Sequence, residues 1–291
     1  MSPPRTLFML GKGGVGKTTC ALALARALSS TARVTVVSLD PAHNLGDLAG
    51  VPLGRAPVTL MPGLEACEPD LEALSRERAE GAVDLIRAGY RHLDALSLGG
   101  LADLVQHAPG LEEQSALDAL GAFVRDLPPE DVLVVDMPPT GLSVRMLALP
   151  ALSLRWIECL AGLRRRIIER RASIAHVRGR QEQDRDHVMD RLGAERDGLA
   201  LLCDLFENGA AHVLVVNPDP LSIAEAGRLR EVLRRLGTDA ARLVINRGSG
   251  THEPAGGLAD LPSTVLPDLG GSAREPGSLD KLGRLLAEEL G

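Results

Sequence analysis

Apolar residues come in short, nearly continuous runs along this chain, separated by longer stretches of mixed character. The runs lie at residues 6–10, 33–39, 131–136, 212–217, 242–246 and 264–266, and most are rich in valine, isoleucine or leucine. Runs that do not alternate with polar residues are typical of strands covered on both faces, and helices between the strands supply the covers. The pattern predicts an α/β fold with a doubly wound, mostly parallel sheet.

Polar side chains stand where several of these runs end. Asp40, Asp136, Asn217 and Asn246 each follow or close an apolar run. Doubly wound sheets bind their ligands beyond the carboxyl ends of the strands. We therefore expect a ligand site at that edge of the sheet.

Two long segments of helical character interrupt the strand spacing, at about residues 64–126 and 150–208. Both are too long to be simple crossovers between strands. They are predicted to pack together as an inserted α-helical subdomain beside the sheet, within a single domain that spans residues 1–291. The stretch 247–262 is rich in glycine, proline and alanine and is predicted to be a loop.

The second helical segment combines an apolar stripe with an uneven charge. Its apolar residues recur at helical spacing, at Leu152, Trp156, Leu160, Leu163, Ile167, Ile174 and Val177. Residues 155–180 hold eight arginines against two glutamates, and residues 181–197 hold three arginines against six acids. Two interpretations stay open: a helical hairpin whose arms offset each other's charge, or a surface for a client protein or an anionic membrane.

Composition narrows the classes of function. The chain has 291 residues, a net charge of −7 and only 2% aromatic residues, which argues against nucleic acid as a partner. No apolar run approaches the length of a membrane span, and the first residues lack the core of a signal peptide, so a cytoplasmic protein is expected. The four cysteines are widely spaced without a C-x-x-C pair, which favours reduced thiols over a metal or redox site.

The scarce lysines of the chain mark a phosphate-binding loop. There are three lysines against 29 arginines, and two of the three, Lys12 and Lys17, lie five positions apart. Residues Gly11–Thr18 fit the pattern G-x-x-x-x-G-K-T between a predicted strand and an alanine- and leucine-rich predicted helix, and such a loop turns its backbone N–H groups toward phosphates. The predicted nucleotide-binding residues of the loop are Gly11, Lys12, Gly13, Gly14, Val15, Gly16, Lys17, Thr18 and Thr19. Lys17 is expected to neutralise the β- and γ-phosphates, and the Thr18 hydroxyl to bind Mg²⁺.

Further motifs, spread along most of the chain, together resemble one family. Lys12, directly after the first glycine of the loop, is similar to the lysine that marks the deviant P-loop of the ParA/MinD/nitrogenase-iron-protein class. Within that class, the remaining motifs resemble the Get3/ArsA ATPases. The similar segments are Ser38–Asp47 (first switch), Asp136–Gly141 with Arg145–Pro150 (second switch), Pro109–Glu113 (a Pro-Gly turn that opens a helix) and Asn217–Ser222 with Asn246 (adenosine contacts).

The resemblance implies a Mg²⁺-dependent ATPase whose two subunits close around ATP. It gives Asp136 the role of holding Mg²⁺, directly or through water, and places Asp40 in the water shell of the metal. Asp47 is expected to orient the attacking water, since an ordinary carboxylate is a weak base. Lys12 is expected to reach the phosphates bound by the partner subunit, which would make ATP binding and dimer closure one event.

On the nucleoside side, the resemblance assigns two contacts. Asn246 is expected to read the adenine edge, because an amide offers both a donor and an acceptor. Asp219 is expected to contact the nucleoside, at a position where the family usually has the longer glutamate.

Departures from the family pattern separate the possible roles. Residues 246–262 hold no cysteine, so no zinc-stapled dimer is expected, and the segment Pro109–Gln114 lacks the thiol that arsenite pumps carry there. The predicted function is a Get3-like targeting or chaperone factor for tail-anchored membrane clients. The alternatives are the ATPase subunit of an arsenite or anion efflux pump, a ParA/MinD-like positioning switch and a nucleotide sensor that does not hydrolyse ATP.

The predicted partners follow from this role. We expect an ATP-dependent homodimer, or a heterodimer with a paralogue. The α-helical subdomain is expected to bind the protein client or a membrane partner, and the location to be cytoplasmic or peripheral at a membrane.

Overall fold

Eight strands form one sheet in the computed structural model, which describes residues 6–89, 108–128, 130–177, 186–248, 256–268 and 276–290. The strands are β1 (Thr6–Leu10), β2 (Val34–Ser38), β3 (Val58–Met61), β4 (Leu64–Cys67), β5 (Val132–Asp136), β6 (Ala210–Val216), β7 (Ala240–Gly248) and β8 (Ser263–Pro267). Their spatial order is β3-β4-β2-β5-β1-β6-β7-β8. Every neighbouring pair is parallel except β3 and β4. The predicted doubly wound, mostly parallel sheet is confirmed.

Helices connect the strands and cover both faces. They are α1 (Lys17–Leu28), α2 (Asn44–Ala49), α3 (Leu71–Gly89), α4 (Leu111–Asp126), α5 (Thr140–Val177), α6 (His187–Asp204), α7 (Pro220–Arg235) and α8 (Pro276–Leu290). A π-helical turn, Leu205–Gly209, follows α6 and leads into β6. A 3₁₀ turn, Gly256–Leu258, lies before β8.

The central strand β1 contributes side chains to two hydrophobic cores, one on each face of the sheet. Phe8 and Leu10 pack on one face of the sheet with side chains of α4, α5, α6 and α7. Leu7 and Met9 pack on the other face with α1 and α8. Both sets are almost fully buried, which explains why the strand reads as a continuous apolar run.

The prediction that the first long helical segment begins at residue 64 was wrong. Residues Leu64–Cys67 are strand β4, paired antiparallel with β3, and the helix begins only at Leu71. The run alternates between the buried Leu64 and Ala66 and the half-buried Glu65, which is the period of a strand. Gly63, with φ of 80°, makes the tight turn between β3 and β4.

The helices of the two long segments contact one another. α3 packs on α4, α5 packs on α6, and α4 touches both α5 and α6. Residues 90–107 and 178–185 of the predicted segments lie outside the described residues. The division into a distinct subdomain stays a prediction.

Helix α5 is longer and more apolar than the sequence pattern suggested. Within Thr140–Arg170, a window of 18 residues has a mean hydropathy of 1.4, which by length and composition alone would be enough to cross a membrane. Pro150 lies inside this helix and does not end it, so two shorter apolar stretches join. The first turns of α5 are not free, since Ser143, Met146 and Leu147 are buried against the sheet.

Candidate functional site

The loop between β1 and α1 fits its neighbours only because it is built from glycine. A Cβ on Gly11 would stand 2.2 Å from the carbonyl oxygen of Val215, at the end of β6. A Cβ on Gly16, whose φ is 94°, would stand 2.3 Å from Nδ2 of Asn246. The loop is thus pressed against two other strand ends, at the carboxyl edge where a ligand site was expected.

Lys17 opens helix α1 and is buried. Its Nζ donates a hydrogen bond to the carbonyl oxygen of Lys12, 3.3 Å away, so the side chain curls back over the loop. Burial lowers the pKa of Lys17, while the carboxylates of Asp136 and Asp40 act in the opposite direction. An ammonium group held at a helix N-terminus in a glycine loop is placed to bind phosphate.

Asp136 is fully buried at the end of β5, beside Lys17. Its Oδ2 accepts hydrogen bonds from Thr18 Oγ1 at 2.7 Å and from Ser38 Oγ at 3.1 Å. The parallel register of β2 and β5 sets Ser38 opposite Asp136. Burial raises the pKa of Asp136 to about 7, against the hydrogen bond from Thr18 and the charge of Lys17.

The other carboxylate oxygen of Asp136 is available to a cation. Oδ1 is buried and has no hydrogen-bond partner among the described residues. A buried carboxylate oxygen without a donor is costly unless it binds a cation. Together with the hydroxyl of Thr18 and the carboxylate of Asp40, it offers the oxygen ligands that Mg²⁺ prefers, so these residues fit the predicted metal.

The first switch lines a cavity of about 280 Å³ next to the loop. The cavity is lined by Gly14, Gly16, Lys17, Thr18, Thr19, Asp40, Asn44, Asp47 and Leu48. Asp40 is buried, and its Oδ1 accepts a hydrogen bond of 3.0 Å from the N–H of Ala42. Asp47 and Asn44 reach the cavity from α2 and are exposed.

Asp40 and Asp47 therefore share one cavity but differ in environment. The charge of Asp40 acts on both Lys17 and Asp136. Asp47 lies at the solvent side, on a helix of six residues. Asn44 is a cavity residue that the sequence interpretation did not single out, although it lies inside the first-switch motif.

Glu68 is a second residue that the sequence interpretation missed. It follows β4 directly, is buried, and accepts hydrogen bonds from the backbone N–H groups of Leu45 at 2.9 Å and Gly46 at 3.2 Å. Its partners lie 23 and 22 positions away and are backbone groups. A carboxylate directly after a strand could have marked Glu68 in the sequence, but residues 64–67 were predicted to be helical.

Of the two predicted nucleoside contacts, Asn246 is hydrogen-bonded to the glycine loop, and Asp219 caps a helix. Nδ2 of Asn246 donates a hydrogen bond of 2.8 Å to the carbonyl oxygen of Val15, and its Oδ1 accepts from the N–H of Arg247. Asp219 is the N-cap of α7 and accepts from the N–H of Ser222 at 2.9 Å. Both residues thus have structural partners, and their contacts to a nucleotide stay predictions.

A family model described as an anion-transporting ATPase matches residues 4–253, which include every predicted site residue. The chain belongs to this family. Its similarity to relatives points the same way: it is 31% identical over 268 residues to ATPase GET3B of Arabidopsis thaliana and 29% identical over 245 residues to ATPase GET3A of the same plant. ATPase GET3 of the fungus Ajellomyces dermatitidis is 29% identical over 253 residues.

The matches cover most of this chain but less of the relatives. They span 84%, 83% and 84% of this chain, and 64%, 66% and 72% of GET3B, GET3A and the fungal GET3. The chain thus spans slightly less than two thirds of the length of the two plant relatives. The resemblance predicted from the motifs is confirmed, and so, at the level of the family, is the prediction of an ATPase.

Proposed function

We propose that this protein is a Mg²⁺-dependent ATPase that works as a nucleotide-driven switch. One observation carries the proposal: the buried Asp136 accepts from Thr18, while its second oxygen has no donor within the described part of the chain, and Lys17 lies buried beside it. This group of side chains lies at the start of α1, where the glycine loop offers backbone N–H groups. Phosphoryl transfer needs these parts, namely a cradle, a lysine and a metal-binding carboxylate.

The residues of the cavity would have three different roles in hydrolysis: binding phosphate, holding Mg²⁺ and orienting water. The N–H groups of the loop and Lys17 would bind the β- and γ-phosphates, and Thr18, Asp136 and, through water, Asp40 would hold Mg²⁺. When bound, Mg²⁺ neutralises charge that develops on the transferring phosphoryl group. A carboxylate of the first switch would orient the attacking water. Asp47 is the residue that the family resemblance suggests, and Asp40 competes for the role because it is buried beside Lys17.

A dimer that closes on ATP would complete the site. Lys12 is half-buried, and its own carbonyl oxygen is held by Lys17. Its ammonium group would extend to the γ-phosphate in the partner subunit. A cation supplied in this way to a transferring phosphoryl group can accelerate the reaction on the order of 10³- to 10⁵-fold.

The second switch is joined directly to the helices. Strand β5 ends at Asp136, and α5 begins four residues later, at Thr140. In its second turn, Arg145 forms an ion pair of 2.8 Å with Glu113, in the first turn of α4. A movement of the second switch on hydrolysis would therefore shift α5 and α4 together.

Helix α5 offers the surface on which the switch would act. Its stripe of exposed apolar side chains comprises Leu152, Trp156, Leu160, Leu163 and Ile167. The exposed fraction of Trp156, the single tryptophan of the chain, is 70%. A contiguous row of exposed apolar side chains on a helix is typical of an interaction site. We assign the stripe to an apolar segment of a protein client, as in targeting of tail-anchored membrane proteins, at the cytoplasmic side of a membrane.

Phosphate release and oligomeric state together test the proposal. The purified full chain should release phosphate from ATP with Mg²⁺ and not with excess EDTA. Light scattering should show a dimer with a non-hydrolysable ATP analogue and Mg²⁺, and a smaller species without nucleotide. No phosphate release under any of these conditions would leave the sensor alternative, and a species that does not change with nucleotide would overturn the dimer switch.

Anion efflux is the second candidate, because the description of the matched family names anion transport. Cys20 and Cys67 are buried, and burial raises the pKa of each thiol to about 12, which disfavours both as thiolate ligands. Cys159, on α5, is exposed. Arsenite that stimulates hydrolysis in the wild type but not in a Cys159→Ser variant would support this candidate, and hydrolysis that ignores arsenite would count against it.

A further inference from the structure

Helix α2, which carries Asn44 and Asp47 to the cavity, is too short to hold its own position. It has six residues, Asn44–Ala49. Isolated helices of this length are unstable in water, so the place of α2 depends on contacts with the rest of the protein. A contact with another element must therefore determine where the side chains of Asn44 and Asp47 stand.

The usual local device for fixing a helix start is missing. The residue before α2 is His43, which has a left-handed backbone conformation with φ of 50°, and its side chain makes no capping hydrogen bond. An N-cap side chain ordinarily accepts from the second and third N–H groups of its helix. In α2 those groups belong to Leu45 and Gly46.

Glu68 supplies both of the missing bonds from another element. Its two carboxylate oxygens accept separately from Leu45 N–H and Gly46 N–H, at 2.9 and 3.2 Å. Hydrogen bonds donated to a carboxylate are stronger than hydrogen bonds between neutral groups. The backbone N–H of Glu68 also donates to the carbonyl oxygen of Gly54, at 2.9 Å, which ties down the segment after α2.

The fit around Gly46 leaves little freedom. The place of a Cβ on Gly46 lies 3.0 Å from the carbonyl oxygen of Val51 and 3.3 Å from Oε2 of Glu68. The backbone of α2 therefore approaches Glu68 closely, and a displaced carboxylate would move the first turn of the helix. Asn44 and Asp47 lie on that first turn.

We infer that Glu68 is a positioning residue for hydrolysis: it caps α2 from the end of β4 and thereby fixes the edge of the cavity that faces the γ-phosphate. It is not among the described residues that line the cavity. The inference rests on the proposed ATPase function. It places the effect of Glu68 on the reaction step, because Lys17 and the loop, which bind phosphate, are held by other contacts.

Two variants and a control measure this effect. Glu68→Ala removes both acceptors, and Glu68→Gln keeps the size of the side chain and one acceptor oxygen. Glu65→Gln, three residues earlier on β4, is the matched control. For each protein, kcat, KM and the Kd for a non-hydrolysable ATP analogue are measured, together with hydrogen exchange at the amides of Leu45 and Gly46.

The expected result is a graded loss of turnover without loss of binding. Misplacement of a positioned group by about 1 Å can lower a rate by roughly 100-fold, so Glu68→Ala should lower kcat by about 10- to 100-fold and Glu68→Gln by less. The Kd should stay within about 3-fold of the wild-type value, equivalent to less than 1 kcal/mol. Exchange at the two amides should be fastest in the alanine variant, and the control should match the wild type.

Each contrary result would overturn a specific part of the inference about Glu68. Faster exchange with unchanged kcat would mean that Glu68 anchors α2 without positioning the reaction. A parallel loss of kcat, of analogue binding and of protection throughout the sheet would mean a general role in folding. If the wild-type protein does not hydrolyse ATP, the proposed function fails, and exchange at Leu45 and Gly46 still decides whether Glu68 holds the helix.

Discussion

The hydroxyl of Thr18 donates a hydrogen bond of 2.7 Å to Asp136, which joins the first turn of α1 to the end of β5. The bond satisfies one oxygen of a fully buried carboxylate and leaves the other without a donor among the described residues. The loop and the end of β5 therefore meet at a carboxylate with one satisfied and, within the described residues, one unsatisfied oxygen. A buried acceptor without a donor lowers the free energy of unfolding.

Asp136→Asn should stabilise the metal-free protein and abolish Mg²⁺-dependent hydrolysis. Burial raises the pKa of Asp136 from 3.8 to about 7, so the folded state holds a proton more tightly than the unfolded state. The contribution of Asp136 to stability is thus present below pH 3.8 and is lost as pH rises to about 7, by up to about 4 kcal/mol. Asparagine should recover part of this loss, measured as urea denaturation at pH 8 in EDTA.

The matched control for Asp136→Asn is Asp131→Asn, which lies at the opposite end of strand β5. Asp131 precedes β5 and faces Arg33 at 3.9 Å, far from the cavity. It should leave hydrolysis and its metal dependence unchanged. Equal stabilisation by both asparagine variants would show that the gain does not come from the cavity.

His212→Leu should reduce the acid sensitivity of folding. His212 lies on β6, fully buried, with its ring 5.5 Å from that of Phe8 and with neither ring nitrogen hydrogen-bonded within the described chain. Burial lowers the pKa of His212 from 6.5 to about 4, so the unfolded state takes up the proton first. Wild-type stability should therefore fall as pH drops from 6.5 to 4, by up to about 3 kcal/mol from this residue.

Denaturation curves at pH 4.5 and pH 7 measure the effect of His212. The leucine variant should show a smaller difference between the two pH values than the wild type. His187→Leu, at the exposed start of α6, is the control and should keep the wild-type difference. The same pH difference in all three proteins would rule out His212 as the source.

The sequence predicted the parts of this protein whose signals are local. Six strands could be read because buried parallel strands are continuously apolar, and the loop could be read because its glycines and Lys17 follow a fixed spacing. Strands β3 and β4 were missed because they are short and β4 alternates with the half-buried Glu65. Glu68 was missed because its partners are backbone groups that only the fold brings near, and a side chain that binds backbone leaves no pattern in the sequence.

Asp40→Asn should lower kcat more than Asp47→Asn. Both residues line the cavity, but Asp40 is buried and its charge acts on Lys17 and Asp136, whereas Asp47 is exposed. A carboxylate that orients water is more effective where solvent is excluded. Steady-state kinetics of the two variants, at saturating Mg²⁺, compare them directly. A larger loss in Asp47→Asn would support the role that the family resemblance assigned to Asp47.

Leu160→Asp should abolish client binding and leave hydrolysis intact. Leu160 lies in the middle of the exposed stripe of α5, where an added carboxylate would have to lose water against an apolar segment. The measurement is capture of a tail-anchored membrane protein made in a membrane-free translation system. Val58→Asp, at an exposed valine on β3, is the control and should retain capture. Equal capture by both variants would place the client elsewhere.

Lys12→Ala should retain nucleotide binding and lose most hydrolysis, and its activity should return on mixing with Asp136→Asn. In a mixed dimer, the site of the Lys12→Ala subunit keeps its own Asp136 and receives Lys12 from the partner. Random pairing gives one intact site in half of the dimers, so phosphate release should recover to about a quarter of the wild-type rate. Full activity of Lys12→Ala alone, or no recovery on mixing at concentrations where light scattering shows dimers, would mean that Lys12 does not act across the interface.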